Sequence, residues 1–285
     1  MGSPGHLGLA LGGGGVRGGA HIGLLKVLDR EGIRVGAIAG TSAGGIVGGL
    51  YAAGLPGSEI EEFLLSCAPT RVLEPDASGW SLLSTRRFIH LIQKRVGDVR
   101  IEDLPRPFAA VAVDLRSGSE VILSTGSLAA AIQATIAVPG LLCPVEQEKC
   151  LLVDGGVLNN VPVDVVRRLG AGRTIAVDVG VKPDFPLEVP SFGPLPGPLS
   201  HLMERLLTLT NRQRAAVALI RTYDILTAEL TARRLKENPP DLLLCPNLGA
   251  IQVTDVDRLR EAIAIGERMT EEHLDEIRQL AEGGD

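Results

Sequence analysis

No apolar run in the 285-residue chain reaches the length of a membrane span. The first apolar stretch, Leu7 to Leu11, follows no basic region, and a spanning helix needs about 20 apolar residues. A cytoplasmic protein is expected. Positive charge is also scarce: Lys and Arg number 28 against 34 Asp and Glu, for a formal net charge of -6. The doublets Arg86-Arg87, Arg167-Arg168 and Arg233-Arg234 are scattered, so they read as solvated helix faces, and a nucleic-acid partner is not expected. Cys67, Cys143, Cys150 and Cys245 form no C-x-x-C pair and have no histidine at zinc-ligand spacing. Buried free thiols are expected in place of a disulfide framework or a metal site. A D-x-D-x-D-G calcium loop is missing as well, and no cofactor is implied.

Glycine, by contrast, is plentiful, and it falls at the ends of apolar runs. Leu7-Gly8-Leu9-Ala10-Leu11 reads as a buried strand that opens into Gly12 to Gly19. The next segment repeats Ile22, Leu25 and Leu28 at helical spacing. A strand, a glycine loop and a helix start together make an anion-binding nest, because glycine lets successive amides converge on one point. Gly13-x-Gly15-x-x-Gly18 matches a dinucleotide fingerprint, but the second strand ends in Gly40-Thr41-Ser42 where that site needs an acid. Gly18 is followed by Gly19-Ala20 and not by the lysine of a P-loop. The nest is therefore assigned to a transient oxyanion, with the amides of Gly14, Gly15 and Val16 as donors. A purely structural turn is the other reading.

The second glycine turn carries a hydroxyl. Val35 to Thr41 is an apolar run ending in Gly40-Thr41-Ser42-Ala43-Gly44, and the Gly- and Ala-rich segment to Ala53 follows. In G-x-S-x-G the serine sits on a strained strand-to-helix turn, so the residues two before and two after it must be small. The following helix directs its N-terminal dipole at developing negative charge. A glycine-rich turn that binds nothing has the same spelling.

Farther along, Ser58-Glu59-Ile60-Glu61 predicts a capping box, with Ser58 accepting and Glu61 reaching back. From Trp80 to Val96, apolar residues interleave with Arg86, Arg87, Lys94 and Arg95. That stretch covers an apolar cleft, rests on an anionic lipid surface or is an ordinary core-facing helix. Phe108 to Leu115 and Glu120 to Thr125 form a hairpin about Arg116 to Ser119, and Ser127 caps a helix to about Ile136. Cys150 to Val153 is a buried strand ending in Asp154-Gly155-Gly156, a placed acid or a simple turn. Asn159 to Pro162 opens a helix, and Arg173 to Val179 is a further strand. Six prolines between 181 and 200 mark a loop or flap. A long helix at about 202–235, a short strand at Leu242–Leu244 and two closing helices complete the chain.

Gly13 to Gly18, Gly40 to Gly44 and Asp154-Gly155-Gly156 resemble, in order and strand-end context, the motifs of the patatin-like phospholipase family. Ala20 to Gly23, Ala137 to Gly140 and Asn159 to Pro162 extend the resemblance over about 7–180, and it is weaker over Asp241 to Gly249. It implies a three-layer α/β/α fold with a mostly parallel sheet, as a single domain over 1–285 whose C-terminal part, 201–285, is helical. It also implies a lipid acyl hydrolase with a Ser-Asp dyad. Carried over, Ser42 is the nucleophile, Asp154 the base and Gly13, Gly14, Gly15 and Val16 the oxyanion hole, with Arg17 and Gly18 supporting the loop. Gly40 and Gly44 frame the elbow, and Gly155 and Gly156 follow the base. The expected partner is a lipid or acyl ester, with peripheral membrane contact. Gly12, Cys143 and the 181–235 region depart from the family pattern, which bears on substrate range. A lipid-binding or regulatory module without catalysis is the alternative. A Ser-His-Asp triad would have to use His201 or His273, the only histidines after Asp154; His21 is expected to hydrogen-bond a neighbour, and His6 and His90 have no chemical context.

Overall fold

The structure is a computed structural model and describes residues 6–67, 72–76, 79–147, 149–180 and 212–283, with side chains of the last segment from 221 onward. Its first half runs β1 (Leu7–Leu11), α1 (Gly19–Arg30), β2 (Ala37–Thr41), α2 (Ala43–Ala52), α3 (Gly57–Ser66), β3 (Glu74–Pro75), β4 (Leu83–Ser84) and α4 (Arg86–Val96). Next come β5 (Phe108–Asp114), β6 (Ser119–Leu123), α5 (Leu128–Thr135), β7 (Val145–Gln147), β8 (Cys150–Asp154), α6 (Val163–Arg168) and β9 (Arg173–Val177). The chain closes with α7 (Arg212–Glu237), β10 (Leu242–Leu244), α8 (Leu259–Glu272) and α9 (Leu274–Glu282).

Eight strands form one sheet in the order β10-β9-β1-β2-β5-β8-β7, with β6 also paired to β5. The first five are mutually parallel, whereas β6 and β8 run antiparallel to β5. Both faces are covered, as continuous apolar strands require. Leu9, Leu11, Ile38, Ala110, Ile175 and Val177 point into the larger core, with Ile22 and Leu25 of α1, Leu50 of α2, Ile132 of α5 and Ile263 of α8. Alternate residues Ala10, Ala37, Ala39, Ala109, Val111 and Ala176 pack on Val163, Val165 and Val166 of α6, with Leu235 of α7 at the margin. The result is the three-layer α/β arrangement that the motif order implies.

One detail of the pairing positions the site. Thr41 at the end of β2 pairs with Val111, and Asp154 at the end of β8 pairs with Ala112. The same two β5 residues pair on their other side with Ile122 and Val121 of β6. Parallel β2 and antiparallel β8 therefore meet tip to tip along one edge of β5. This brings Ser42 and Asp154 together from distant parts of the chain.

Several local expectations need correction. The capping box at Ser58 does not form: α3 starts two residues earlier than that cap would place it, with Pro56 at its cap and no side-chain cap bond. Asp29 Oδ2 accepts the Gly57 amide at 2.7 Å instead, and Glu61 turns to Lys26 at 2.8 Å. Helix α4 begins only at Arg86, because 80–84 is spent on a turn and on β4. Of the four free cysteines only Cys67 is buried; Cys143 and Cys150 are half-buried and Cys245 is exposed. The Ser127 cap does form, accepting the Ala130 amide at 3.3 Å. The proline-rich segment 181–200 and the start of the long helix lie outside the described residues. Among the described residues, no helix is long and apolar enough to cross a membrane.

Candidate active site

Ser42 joins β2 to α2 at φ 53°, and it is the only non-glycine residue with positive φ among the described residues. A left-handed side-chain-bearing residue costs about 1–3 kcal/mol and persists only where the surroundings force it. Here the forcing is steric and polar. A Cβ on Gly44 would strike the Leu11 carbonyl oxygen, and one on Gly40 would strike the Gly44 carbonyl. The Ser42 amide donates to the Thr135 hydroxyl at 2.9 Å. The side chain is thereby held at the mouth of the β1, β2 and β8 ends, at the N-terminus of α2.

Asp154 is 1% exposed. Its Oδ1 accepts the Gly156 amide at 2.7 Å, and the Ser42 side chain lies close enough to favour its charged form. Burial pushes its pKa up from 3.8 to about 6, against the downward pull of the nearby Ser42 side chain and of the Gly156 amide. The carboxylate is thus a stronger base than an aspartate in water, yet ionised at neutral pH. Gly155 packs so closely on β5 that a Cβ there would strike the Val111 carbonyl.

The glycine loop faces this pair. A Cβ on Gly13 would lie 3.0 Å from Ser42 Cβ. The Gly13 amide donates to the Asn160 carbonyl at 3.2 Å, and the Val16 amide to the Val253 carbonyl at 2.9 Å. Those two are consequently not available to an oxyanion, which corrects the four-residue expectation. The amides of Gly14 and Gly15 have no partner among the described residues. Gly15 takes φ 56°, a left-handed conformation open to glycine, and as the first residue of the 3-10 turn 15–18 its amide has no acceptor within that turn.

The loop is braced from behind. Arg17, 4% exposed, donates Nε to the Val179 carbonyl at 2.7 Å, Nη1 to the Ile251 carbonyl at 3.0 Å and Nη2 to the Gly180 carbonyl at 2.9 Å. Beside it, a Cβ on Gly18 would crowd Ala43 Cβ at 2.6 Å, so the loop lies directly on the elbow helix. His21 is fully buried, with Nε2 at 2.7 Å from the Gly12 carbonyl. Desolvation pulls its pKa down to about 4, so the ring is neutral and Nε2 donates.

Two asparagines tie the three segments together, and the sequence carried them only as part of a resemblance. Asn160 Nδ2 donates to the Gly13 carbonyl at 3.2 Å, while the Asn159 carbonyl accepts the Thr41 hydroxyl at 2.8 Å and the Asn159 amide donates to the Gly155 carbonyl at 2.9 Å. Thr135 was missed, since nothing local distinguishes it from any threonine at a helix end. Of the triad alternatives, His273 sits at the α8–α9 junction with Nδ1 at 2.8 Å from the Met269 carbonyl, and His201 lies outside the described residues.

A sequence model described as Patatin-like phospholipase matches residues 9–167, which hold every motif above. The chain belongs to the patatin-like phospholipase family. Among its relatives, an uncharacterized NTE family protein of Mycobacterium tuberculosis is 41% identical over 177 residues, covering 60% of this chain and 48% of that one. A second from the same organism is 34% identical over 263 residues, covering 89% of this chain and 42% of its own length. The neuropathy target esterase sws of Drosophila melanogaster is 34% identical over 189 residues, 64% of this chain and 13% of the larger protein. The match spans less than half the length of each of these relatives. VipD from Legionella pneumophila shares the fold, with a TM-score of 0.57 at 14% identity over 99% of this chain and 68% of VipD.

Proposed function

We propose that this patatin-like chain is a serine acyl hydrolase of lipid esters that works through Ser42 and Asp154. The observation that carries the reading is the meeting of the β2 and β8 tips, which sets the strained Ser42 beside a buried carboxylate whose pKa is raised to about 6. A serine hydroxyl needs a base as it attacks. In the proposed cycle, Ser42 Oγ bonds to the ester carbonyl carbon while its proton passes to Asp154. The oxygen that gains charge is met by the Gly14 and Gly15 amides, aided by the N-terminal dipole of α2. The ester C–O bond then breaks and the leaving alcohol takes the proton from Asp154, which leaves an acyl-Ser42. Water, giving its proton to Asp154, releases the acid and restores the serine.

Lipid is the favoured acyl donor on two grounds. The family supplies the first. For the second, Trp80 is 62% and Leu82 39% exposed, and Leu82 donates its amide to the Gly140 carbonyl at 3.3 Å, in the loop whose Ala137 carbonyl accepts the Asp154 amide at 2.9 Å. An apolar rim close to the carboxylate suits contact with a lipid surface. The test is a panel of phospholipids, lysophospholipids, monoacylglycerols and acyl thioesters with wild type and Ser42→Ala. Turnover by wild type alone supports the reading. Binding of lipid by both with turnover by neither makes the chain a binding module.

A further inference from the structure

The motif-bearing half of the chain leaves one side of Asp154 to be covered from elsewhere. That side meets α7. A methyl group in place of a Gly156 hydrogen would lie 2.8 Å from the Tyr223 hydroxyl oxygen, and 3.1 Å from both Asn160 Oδ1 and Asp154 Oδ1. Three side-chain oxygens thus converge on the space that a side chain at Gly156 would fill. Thr227, one turn farther along α7, is the neighbour that favours the charged form of the Tyr223 phenol. Burial first, then the negative charge of Asp154, keep its proton on well above the usual phenol range.

The helix itself is anchored on the same loop. Arg234 donates to the Leu158 carbonyl at 3.4 Å, to Glu120 Oε2 at 2.9 Å and to Asp164 Oδ2 at 3.4 Å. Leu158 ends the short 3-10 turn that Asp154 caps. Tyr223 therefore lies over Gly156 on a helix fixed at a second point, Arg234, about three turns farther along.

We propose that Tyr223 is a positioning residue: its phenol closes the α7 side of the Asp154 carboxylate and keeps water from it. The inference rests on the Ser-Asp reading and assigns α7 a part in it. The groups that bear on Asp154 are the Ser42 hydroxyl from the β2–α2 turn, the Gly156 amide from its own loop and the neutral Tyr223 from α7. Asp224 and Arg221, also on α7, interact with each other, and Asp224 with Arg17. Neutral His21 is turned to the Gly12 carbonyl. A neutral phenol fills space at the carboxylate without adding a charge, so its effect comes through exclusion of water. A carboxylate kept dry stays a stronger base; one reached by water returns toward the ordinary aspartate value.

The experiment is the pH profile of kcat/KM on a soluble p-nitrophenyl ester for wild type, Tyr223→Phe, Tyr223→Leu and Tyr223→Ala. Tyr223→Phe is expected to keep the acid limb where wild type has it. Tyr223→Ala is expected to move it down by about one pH unit or more as water enters. Tyr223→Leu, too short to reach Gly156, should do the same and serves if the alanine variant fails to fold. An acid limb unmoved in both short variants overturns the proposal, as does an equal shift in Tyr223→Phe. The carboxyl titration can also be followed by 13C NMR of labelled aspartate without turnover. An inactive wild type would therefore sink the hydrolase reading, while the Asp154 titration in wild type and Tyr223→Ala still decides the role of Tyr223.

Discussion

The Ser42 amide and the Thr135 hydroxyl are hydrogen-bonded at 2.9 Å, and the same hydroxyl donates to the Val111 carbonyl at 2.5 Å. Thr135 is fully buried. One threonine thus fixes the Ser42 backbone to α5 and to β5, next to the point where β2 and β8 meet. Replacing it with valine leaves a buried donor and a buried acceptor without partners, at about 1–3 kcal/mol each. Thr135→Val is expected to lower stability in chemical denaturation and to reduce kcat/KM, whereas Thr135→Ser should keep most of both. Equal kcat/KM for Thr135→Val and wild type would show that the elbow holds its shape without this bond.

In the proposed dyad mechanism, the raised pKa of Asp154 sets the pH range of the reaction. As the base it must be ionised in the free enzyme, so kcat/KM is expected to rise with pH through about 6. Asp154→Asn should lose several orders of magnitude and show no such limb. A wild-type profile flat from pH 5 to 8 would contradict the role given to this carboxylate.

Stability follows the same group with the opposite consequence. Because the folded pKa of Asp154 lies above 3.8, the native chain binds this proton first as pH falls. Its buried charge therefore costs about 3 kcal/mol at neutral pH, and the cost is relieved between about pH 6 and 4. His21 acts in reverse. Its folded pKa lies near 4, below the ordinary 6.5, so the unfolded chain takes that proton first and stability falls across the same window. The two contributions oppose one another in wild type. Asp154→Asn is expected to be more stable than wild type at pH 8, and to lose that advantage as the pH approaches 4. Denaturant melts at the two pH values check this, and an asparagine variant less stable at pH 8 would contradict the sign.

Histidine is not expected to carry protons in the reaction. His273 is engaged with the Met269 carbonyl. The double variant His201→Ala, His273→Ala should retain nearly all ester turnover. A loss comparable to Ser42→Ala would replace the dyad by a triad.

Much of this site can be read directly from residue order. Glycines two positions either side of Ser42 specify the elbow, and an aspartate before Gly155-Gly156 at the end of an apolar run marks the other strand end. Which donors are left over was not legible, because the amides of Gly13 and Val16 are taken by carbonyls at Asn160 and Val253, far along the chain. Nor was the antiparallel course of β8, since a buried strand reads the same in either direction. The capping box failed because α3 already begins at Gly57, whose amide Asp29 of a neighbouring helix accepts, and Glu61 pairs with Lys26 of that same helix. Thr135 and Tyr223 reach the site only through tertiary packing, and neither stands in a local pattern that singles it out.

The central claim is that Ser42 is an activated nucleophile, and an active-site-directed fluorophosphonate tests it most directly. Mass mapping of the wild-type adduct should find a single modified residue, Ser42, with labelling absent in Ser42→Ala and strongly slowed in Asp154→Asn. Labelling at another residue, or undiminished labelling of Ser42→Ala, would contradict the account.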